Sequence, residues 1–404
     1  MVPVDTAYSA TSVNVAVFRA NSIATRDSLQ YVAYYDKDGY VTIARRTLDN
    51  SDWDIARSKY QGNVKDGHNI ISIMVDDNHV IHASFDHHGN KLKYCRSIEP
   101  GSLVLGELEP MIGSLEDDVT YPEFYRLSNG DLLFAYRSGA SGRGNLVLNK
   151  YDMTTGRWER LHDILIDGEN ERNAYWQLCV DHLGTIHVSW VWRETWLVET
   201  NHDLCYARSR DNGVTWEKSD GTPYSLPITA GSAEYACIIP QGSELINQTS
   251  MSTDNAGNPY IATYWREQND SVPQYRLVWN NGKDWANRQI SNRSTPFSLS
   301  GGGTKMIPIA RPRVVIDNDE IAFITRDAER GGKVTIYTGN LRDSIFTPID
   351  LTDFNVNAWE PTYDTELWKS QRKLHLYIQN AMQGDGEKVT ELPPQPVYIL
   401  EASF

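Results

Sequence analysis

Apolar residues alternate with polar ones in short runs along most of the chain, and each run follows a polar turn. Alternation with a period of two predicts half-buried β-strands, and no stretch shows the sustained 3.6-residue apolar period of an amphipathic helix. Seven units of turn and strand recur, about 58 residues apart on average, which is typical of a repeat architecture with long loops. The units are marked by the segments 38–44, 77–85, 129–136, 183–190, 256–264, 318–324 and 373–377.

One turn carries a complete S-x-D-x-G-x-T-W pattern at residues 209–216. In such a turn Asp211 can accept hydrogen bonds from neighbouring amides, Gly213 supplies a positive φ, and Trp216 anchors the turn in the core. A repeated β-turn closed by tryptophan is typical of four-stranded blades. Weaker copies occur at 151–158, 279–285 and 49–53.

The repeats predict an all-β fold, a seven-bladed β-propeller in which residues 1–404 form a single domain. Aromatic residues make up 11% of the chain, with 22 Tyr and 12 Trp, and this composition favours pleated, half-buried surfaces. Segment 397–400 has the pattern of a strand. We expect it to pair with an N-terminal strand, because closing the ring removes exposed sheet edges.

The net charge of −15 argues against bulk attraction to nucleic acid, to anionic membranes or to any polyanion. A polyanionic substrate would therefore need a locally basic groove. No apolar run approaches the roughly 20 residues that cross a bilayer, so we expect no membrane span. No signal peptide opens the sequence as given.

The four cysteines lack C-x-x-C spacing and lie in strand-like contexts, so the sequence predicts small buried residues and no disulfide framework. A structural cation, zinc or calcium, is one further interpretation, because tetrahedral sites take nitrogen and sulfur ligands. Its candidate ligands are His202 and Cys205, joined by Cys179 or Cys237.

Side chains suited to chemistry cluster in segments that follow the predicted inner strands. A propeller gathers such segments around one end of its central channel. The clusters are 67–69, 86–89, 120–122 with 136–137, and 173–177 with 192–194.

Three runs in the middle of the chain resemble the seven-bladed propeller polysaccharide lyases, a group that includes ulvan lyases and rhamnosyl-glucuronate lyases. They are 172–177 (RNAYWQ), 187–194 (HVSWVWRE) and 201–207 (NHDLCYA). The resemblance covers most of the chain and is most specific over 65–220. It implies β-elimination at a uronic acid, with histidine and tyrosine moving protons and arginine holding the carboxylate. It also implies a location outside the cytoplasm, either secreted, periplasmic or at the cell surface.

The same resemblance assigns site residues. The family has two active-site histidines about twenty residues apart, which His68 and His88 match, with His87 as a rival for the second. Its tyrosine–arginine pair resembles Tyr121 and Arg137, although Tyr125 or Tyr136 could replace Tyr121. The resulting hypothesis makes His88, Tyr121 and His68 catalytic. The expected substrate-binding residues are Arg137, Arg193, Tyr175, His87 and Asn69.

β-Elimination at a uronide requires residues of these types. Removing the weakly acidic C5 proton of a uronide requires neutralisation of the adjacent carboxylate, which an arginine fork supplies. Neutral histidine can accept a proton near pH 7, and tyrosine can donate one or, beside cations, accept one. We therefore expect Tyr121 and His88 to transfer protons, with no cofactor required. The expected partner is an anionic, sulfated rhamnose–uronate polysaccharide such as ulvan.

Several interpretations stay open on the sequence. The 209–216 turn also occurs in sialidases, but a structural turn carries no catalytic information. An exo-acting lyase on a terminal rhamnose–glucuronate unit would use much the same residues, and a carbohydrate-binding propeller would use them without turnover. Trp190 and Trp192 share one strand face, which could be core or sugar-stacking surface. Uronate type and oligomeric state are undetermined.

Overall fold

The fold is described for residues 1–247, 250–342 and 345–403 of a computed structural model. Its strands lie in the following order along the chain: β1 Val2–Ala7, β2 Ile23–Arg26, β3 Leu29–Tyr35, β4 Tyr40–Thr47, β5 Asp54–Gln61, β6 Ile71–Val75, β7 Ile81–Phe85, β8 His88–Asn90, β9 Tyr94–Arg96, β10 Val119–Arg126, β11 Leu132–Ala140, β12 Arg143–Asp152, β13 Arg157–Ile166, β14 Asn173–Val180, β15 Ile186–Arg193, β16 Asn201–Ser209, β17 Glu234–Cys237, β18 Ser250–Thr253, β19 Pro259–Trp265, β20 Gln274–Asn280, β21 Trp285–Gln289, β22 Arg313–Asp317, β23 Glu320–Asp327, β24 Lys333–Gly339, β25 Thr347–Asp350, β26 Leu374–Gln379 and β27 Gln395–Ala402.

Helix is scarce, as the missing 3.6-residue period predicts. In the described residues it consists of one α-helix, α1, and two short 3₁₀ helices. Asp364 caps α1 by accepting a hydrogen bond from the amide of Leu367 at 2.9 Å. None of these helices has the length and apolar character that a bilayer crossing demands. The helices are α1 Thr365–Gln371 and the 3₁₀ turns Val198–Thr200 and Ala328–Arg330.

Strand pairing divides the described chain into six sheets. Three have four antiparallel strands in sequence order: β2–β5, β18–β21 and β22–β25. A fourth pairs β6, β7 and β9. The fifth has nine strands, because β10–β13 and β14–β17 are joined through one parallel pair, Gly144 with Asn173, and β8 adds to β10. The sixth sheet joins β1 to β27 and β26, which confirms the predicted pairing of the two chain ends.

Six inner strands contact one another in sequence order. β2 contacts β6, β6 contacts β10, β10 contacts β14, β14 contacts β18, and β18 contacts β22. Their outer neighbours follow in order within each sheet. The N-terminal ends of these inner strands consequently lie close together and bring distant parts of the sequence to one place.

The 209–216 turn forms as its sequence predicts. Asp211 accepts a hydrogen bond from the Thr215 amide at 2.9 Å, and Gly213 has a φ of 88°. Trp216 is buried and donates its indole N–H to the Gly213 carbonyl at 3.1 Å. The motif is thus a structural turn that begins at the end of β16.

Trp190 and Trp192 both lie in the hydrophobic core with no exposed surface. They sit on β15, whose residues are buried from Ile186 to Arg193, and they belong to a core cluster that also contains Leu146 and Trp265 from other strands. The suggestion that one of them stacks on sugar is therefore wrong.

Candidate active site

A cleft of about 700 Å³ opens at the N-terminal ends of the inner strands. Its walls combine aromatic rings, two histidines and four cationic side chains from segments far apart in sequence. The lining residues are Phe18, His68, His88, Tyr121, Arg137, Ser141, Tyr175, Arg193, Trp196, Val198, Ile246, Asn247, Gly303, Thr304, Lys305, Arg311 and Glu387.

A bulge in β10 aims Tyr121 into this cleft. The pairing of β10 with β11 shifts register between Thr120 and Glu123, and Tyr121 has a φ of 57°, a value that non-glycine residues rarely adopt. Burial raises the pKa of Tyr121, and the neighbouring Tyr175 hydroxyl raises it further, while Arg137 opposes both effects. Tyr121 therefore keeps its proton near neutral pH and can donate it.

The pKa of Tyr175, on β14, shifts in the opposite direction to that of Tyr121. Burial would raise the pKa of its hydroxyl, but Arg193 and Arg137 outweigh burial and lower it. Arg193 donates a hydrogen bond to the Tyr175 oxygen at 3.3 Å, and Ser141 lies 3.2 Å from the same oxygen. The two cleft tyrosines, whose rings meet edge to face at 6.0 Å, thus differ in proton affinity.

Two buried guanidinium groups in the cleft have no carboxylate partner among the described residues. Arg137 is 3% exposed and donates to Thr120 Oγ1 at 3.0 Å, while its Nε has no hydrogen-bond partner. Arg193 is 5% exposed and donates to backbone carbonyls of its own loop. By contrast, Arg311 is paired with Glu360 at 2.8 Å. Unpaired buried charge is costly, so Arg137 and Arg193 form a site that an anion would stabilise.

His68 and His88 lie side by side in the cleft, and the centroid of the His68 ring is 5.9 Å from that of Tyr121. Their rings stack with centroids 4.0 Å apart, and Phe18 covers the other face of His68 at 5.4 Å. The side chain of His88 is 41% exposed, whereas that of His68 is 12% exposed. Burial lowers the pKa of His68 even though Asp66 opposes the shift. His88 is accordingly the histidine that a ligand reaches.

Three residues predicted for binding or as alternatives for Tyr121 lie away from the cleft. The ring of His87 is buried and accepts a hydrogen bond from the Lys93 amide at 3.0 Å; burial lowers its pKa to about 4. Asn69 is buried and donates to the Asn63 carbonyl at 3.0 Å. Tyr136, on β11, is buried, and its hydroxyl oxygen accepts a hydrogen bond from Arg160 at 3.3 Å. These side chains serve the local fold.

Tyr125 lies farther along β10 and faces a different cavity at the other end of the inner strands. Its hydroxyl donates to the buried Glu123 carboxylate at 2.5 Å. Of the three candidate tyrosines, Tyr121 alone lines the cleft with His88 and Arg137.

The predicted cation ligands His202 and Cys205 lie on β16 without forming a ligand cluster in the described part of the chain. His202 contacts the carboxylates of Glu194 at 2.8 Å and Asp203 at 2.9 Å, while Cys205 is buried in the core. A group of metal-ligand types does occur in the cleft, where Asp66, His68 and His88 meet.

Sequence reasoning missed Trp196, which lines the cleft and is 62% exposed. Gly302 packs against its ring, and a Cβ at Gly302 would collide with it. The available signal was an aromatic residue in the loop directly after Trp192-Arg193-Glu194. Asp66 and Phe18 were also missed, because their contacts join segments with no common motif.

Comparison with solved structures finds the same fold in polysaccharide lyases. The polysaccharide lyase Uly1 superposes with a TM-score of 0.69 at 15% identity, over 95% of this chain and 90% of that chain. An ulvan lyase bound to GlcA(1-4)Rha3S gives a TM-score of 0.68 at 16% identity, over 98% and 94% of the two chains. No curated protein sequence matches the chain significantly. A sequence profile described as "BNR repeat-containing family member" matches residues 29–293, and the chain therefore belongs to the BNR repeat-containing family.

Proposed function

We propose that this protein is a polysaccharide lyase that cleaves a uronate-containing polysaccharide by β-elimination and leaves a 4,5-unsaturated uronate end. The observation that carries the proposal is the pair of buried, carboxylate-free guanidinium groups, Arg137 and Arg193, beside two tyrosines and two histidines in one cleft. The protein as a whole carries a net charge of −15, so a locally cationic pocket indicates a binding site for an anion.

The arginines would hold the uronate carboxylate. When the C5 proton leaves, negative charge spreads onto that carboxylate, and a cation already in place stabilises the developing charge. Arg137 lies at the Tyr121 ring and Arg193 at the Tyr175 ring, so the carboxylate would sit between the tyrosines. Low exposure strengthens the interaction because water does not screen it.

His88 and Tyr121 would transfer the protons. The exposed imidazole of His88 would take the C5 proton, and the C4–O4 bond would break as Tyr121 donates its phenolic proton to O4. Tyr121 suits the acid role because burial raises the pKa of its hydroxyl. His68, stacked behind His88, would position it, and Trp196 would stack on a sugar ring at the rim.

An adjoining cavity of about 850 Å³ shares His88, Arg137 and Ser141 with the cleft. Arg143 and Asp118 both line this cavity. Arg143 forms no ion pair with Asp118 or with any other described residue. A groove that continues beyond the reacting groups accommodates further sugar units. This favours action within a polymer, and a sulfated rhamnose–uronate such as ulvan is the proposed substrate because one structural neighbour is an ulvan lyase bound to GlcA(1-4)Rha3S.

We also infer that the chain forms seven blades. Pairing through Gly144 and Asn173 alone joins β12 to β14, so the nine-stranded sheet counts as the two blades β10–β13 and β14–β17.

A polysaccharide is degraded outside cells, so we propose a secreted or cell-surface location.

The test is to incubate the protein separately with ulvan and with a rhamnose-capped glucuronate glycan, following ultraviolet absorbance of the unsaturated uronate. A rise with ulvan supports the proposal, and a rise only with the capped glycan points to exo-acting elimination. New reducing ends without absorbance would mean hydrolysis. Binding of ulvan without either signal would mean a carbohydrate-binding propeller.

A further inference from the structure

We propose that Asp66 is a positioning residue that fixes both cleft histidines as Nδ1–H tautomers and so leaves the Nε2 lone pair of His88 free to accept a proton. The catalytic consequence rests on the proposed lyase function, whereas the tautomers themselves do not. The sequence motifs do not single out Asp66.

The Asp66 carboxylate bridges the two rings. Its Oδ1 lies 2.7 Å from His68 Nδ1, and its Oδ2 lies 2.6 Å from His88 Nδ1. Oδ1 also accepts a hydrogen bond from the His68 backbone amide at 2.9 Å. Each carboxylate oxygen therefore faces one imidazole, and the backbone bond fixes which oxygen faces which.

The surroundings of His68 Nδ1 offer acceptors only. Besides Asp66, Glu387 Oε1 and Thr304 Oγ1 each lie 3.4 Å from this nitrogen. Thr304 can act as an acceptor here because its hydroxyl lies 3.1 Å from Glu387 Oε1 and donates to it. A proton on His68 Nδ1 satisfies this set, and a lone pair there would face the Asp66 carboxylate.

Asp66 itself stays ionised. Burial would raise the pKa of its carboxyl, but the hydrogen bonds from His68 and His88 outweigh burial and hold the pKa well below its usual range. An ionised Asp66 accepts hydrogen bonds and donates none, so the proton in each short contact belongs to the imidazole. A free neutral imidazole has two tautomers, and the carboxylate selects one of them.

This arrangement prepares His88 for proton transfer. With Nδ1 protonated, the basic nitrogen is Nε2, on the side of the ring away from Asp66. In the proposed step the C5–H bond breaks and an N–H bond forms at His88 Nε2, while the C4–O4 bond breaks and the Tyr121 proton passes to O4. The resulting imidazolium lies against Asp66, and exchange with water returns one proton to Tyr121 and removes one from His88.

The same three residues are of metal-ligand type, but their geometry fits hydrogen bonds. Two ligand atoms on a tetrahedral zinc ion lie about 3.3 Å apart, since each is about 2.0 to 2.1 Å from the metal. Here the nitrogen–oxygen distances are 2.6 and 2.7 Å. A metal also lies in the plane of each imidazole that binds it, and the two rings are stacked only 18° from parallel.

Nitrogen NMR of the imidazole rings tests the tautomers in the full-length protein without any substrate. Long-range ¹H–¹⁵N spectra distinguish Nδ1–H from Nε2–H, and single His→Gln variants assign the two rings. We expect the Nδ1–H tautomer for both His68 and His88. Finding Nε2–H at His88 would overturn the proposal, as would stoichiometric zinc binding that shifts the Nδ1 signals of both rings.

Asp66→Asn sharpens the test because its amide has one acceptor and one donor end. The His68 backbone N–H requires the acceptor, so the amide NH₂ must face His88 Nδ1 and force His88 alone into the Nε2–H form. We expect kcat on ulvan to fall about 10²-fold or more with little change in KM. Asp319→Asn, at an exposed ion pair with Arg342, is the charge-matched control and should change neither readout.

The outcomes separate the two claims. An unchanged His88 tautomer and unchanged kcat in a folded Asp66→Asn protein would contradict the role of Asp66. If Asp66→Asn fails to fold, the wild-type spectra still decide the tautomers. If the wild-type protein shows both Nδ1–H tautomers yet eliminates no uronide, the positioning claim stands and the proposed function fails.

Discussion

The guanidinium carbon of Arg137 lies 5.0 Å from the centroid of the Tyr121 ring, in a part of the cleft where both side chains are at most 3% exposed. The ring face attracts the cation but does not neutralise it. A carboxylate bound at Arg137 would therefore be placed within reach of the Tyr121 hydroxyl. This geometry links charge neutralisation to proton donation.

Tyr121→Phe removes the proposed acid while keeping the ring that packs against Phe18 and Arg137. We expect kcat on ulvan to fall at least about 10²-fold, with KM changed little, because proton transfer to the leaving oxygen is lost. Steady-state ultraviolet assays give both constants. Tyr136→Phe, outside the cleft, is the matched control; equal losses in the two variants would contradict the assignment.

Arg137→Lys keeps the positive charge and removes the planar fork. A carboxylate held by two parallel N–H bonds would lose one of them, so we expect kcat/KM to drop about tenfold or more. The same exchange at the exposed Arg342 should leave kcat/KM unchanged. Full activity of Arg137→Lys would show that the fork does not hold the carboxylate.

Trp196→Ala should weaken binding without slowing the chemical step. The exposed indole ring lines the cleft and supplies no group for the proposed proton transfer, and loss of a stacked sugar costs binding energy in ground and transition state alike. We expect KM for ulvan to rise several-fold at unchanged kcat. Trp196→Phe, which keeps an aromatic face, should restore much of the binding, and a fall in kcat alone would rule out a stacking role.

Glu123→Gln should remove a pH-dependent loss of stability. Burial raises the pKa of the Glu123 carboxyl from 4.5 to about 7. The folded state thus binds this proton more tightly than the unfolded state, so its stability is complete below pH 4.5 and declines as pH rises towards 7. From the size of the shift we expect wild type to lose about 2 to 3 kcal/mol between pH 5 and pH 8 through this group.

Urea unfolding of both proteins across this pH range measures the effect. The Gln variant keeps an oxygen that can accept from Tyr125 but cannot ionise. Between pH 5 and pH 8 its free energy of unfolding should decline by about 2 to 3 kcal/mol less than that of wild type. Parallel pH profiles for the two proteins would contradict an elevated pKa at Glu123.

The strands were predictable because their signal is local. Alternation with a period of two, interrupted by turns such as 209–216, marks each strand whatever it packs against. The burial of Trp190 and Trp192 was not predictable, since both faces of β15 are covered and alternation alone does not distinguish a covered face from an open one.

The site was predictable only in part. Six residues follow from resemblance to known lyases, and the structure brings all of them into one cleft: His68, His88, Tyr121, Arg137, Tyr175 and Arg193. The φ of Tyr121 could not be inferred, because a residue before proline favours extended backbone, and Pro122 follows it. The bridge from Asp66 to His88 joins the loop before β6 to strand β8, and their approach depends on the packing of β6, β7 and β10, which no local pattern encodes.

The central claim is elimination, and the most direct measurement is mass spectrometry of ulvan fragments produced in water enriched in the heavy oxygen isotope. Elimination breaks the C4–O4 bond without adding water, so we expect unsaturated fragments that carry no label and have one water less than hydrolytic fragments. Saturated fragments with one heavy oxygen at each new reducing end would contradict elimination.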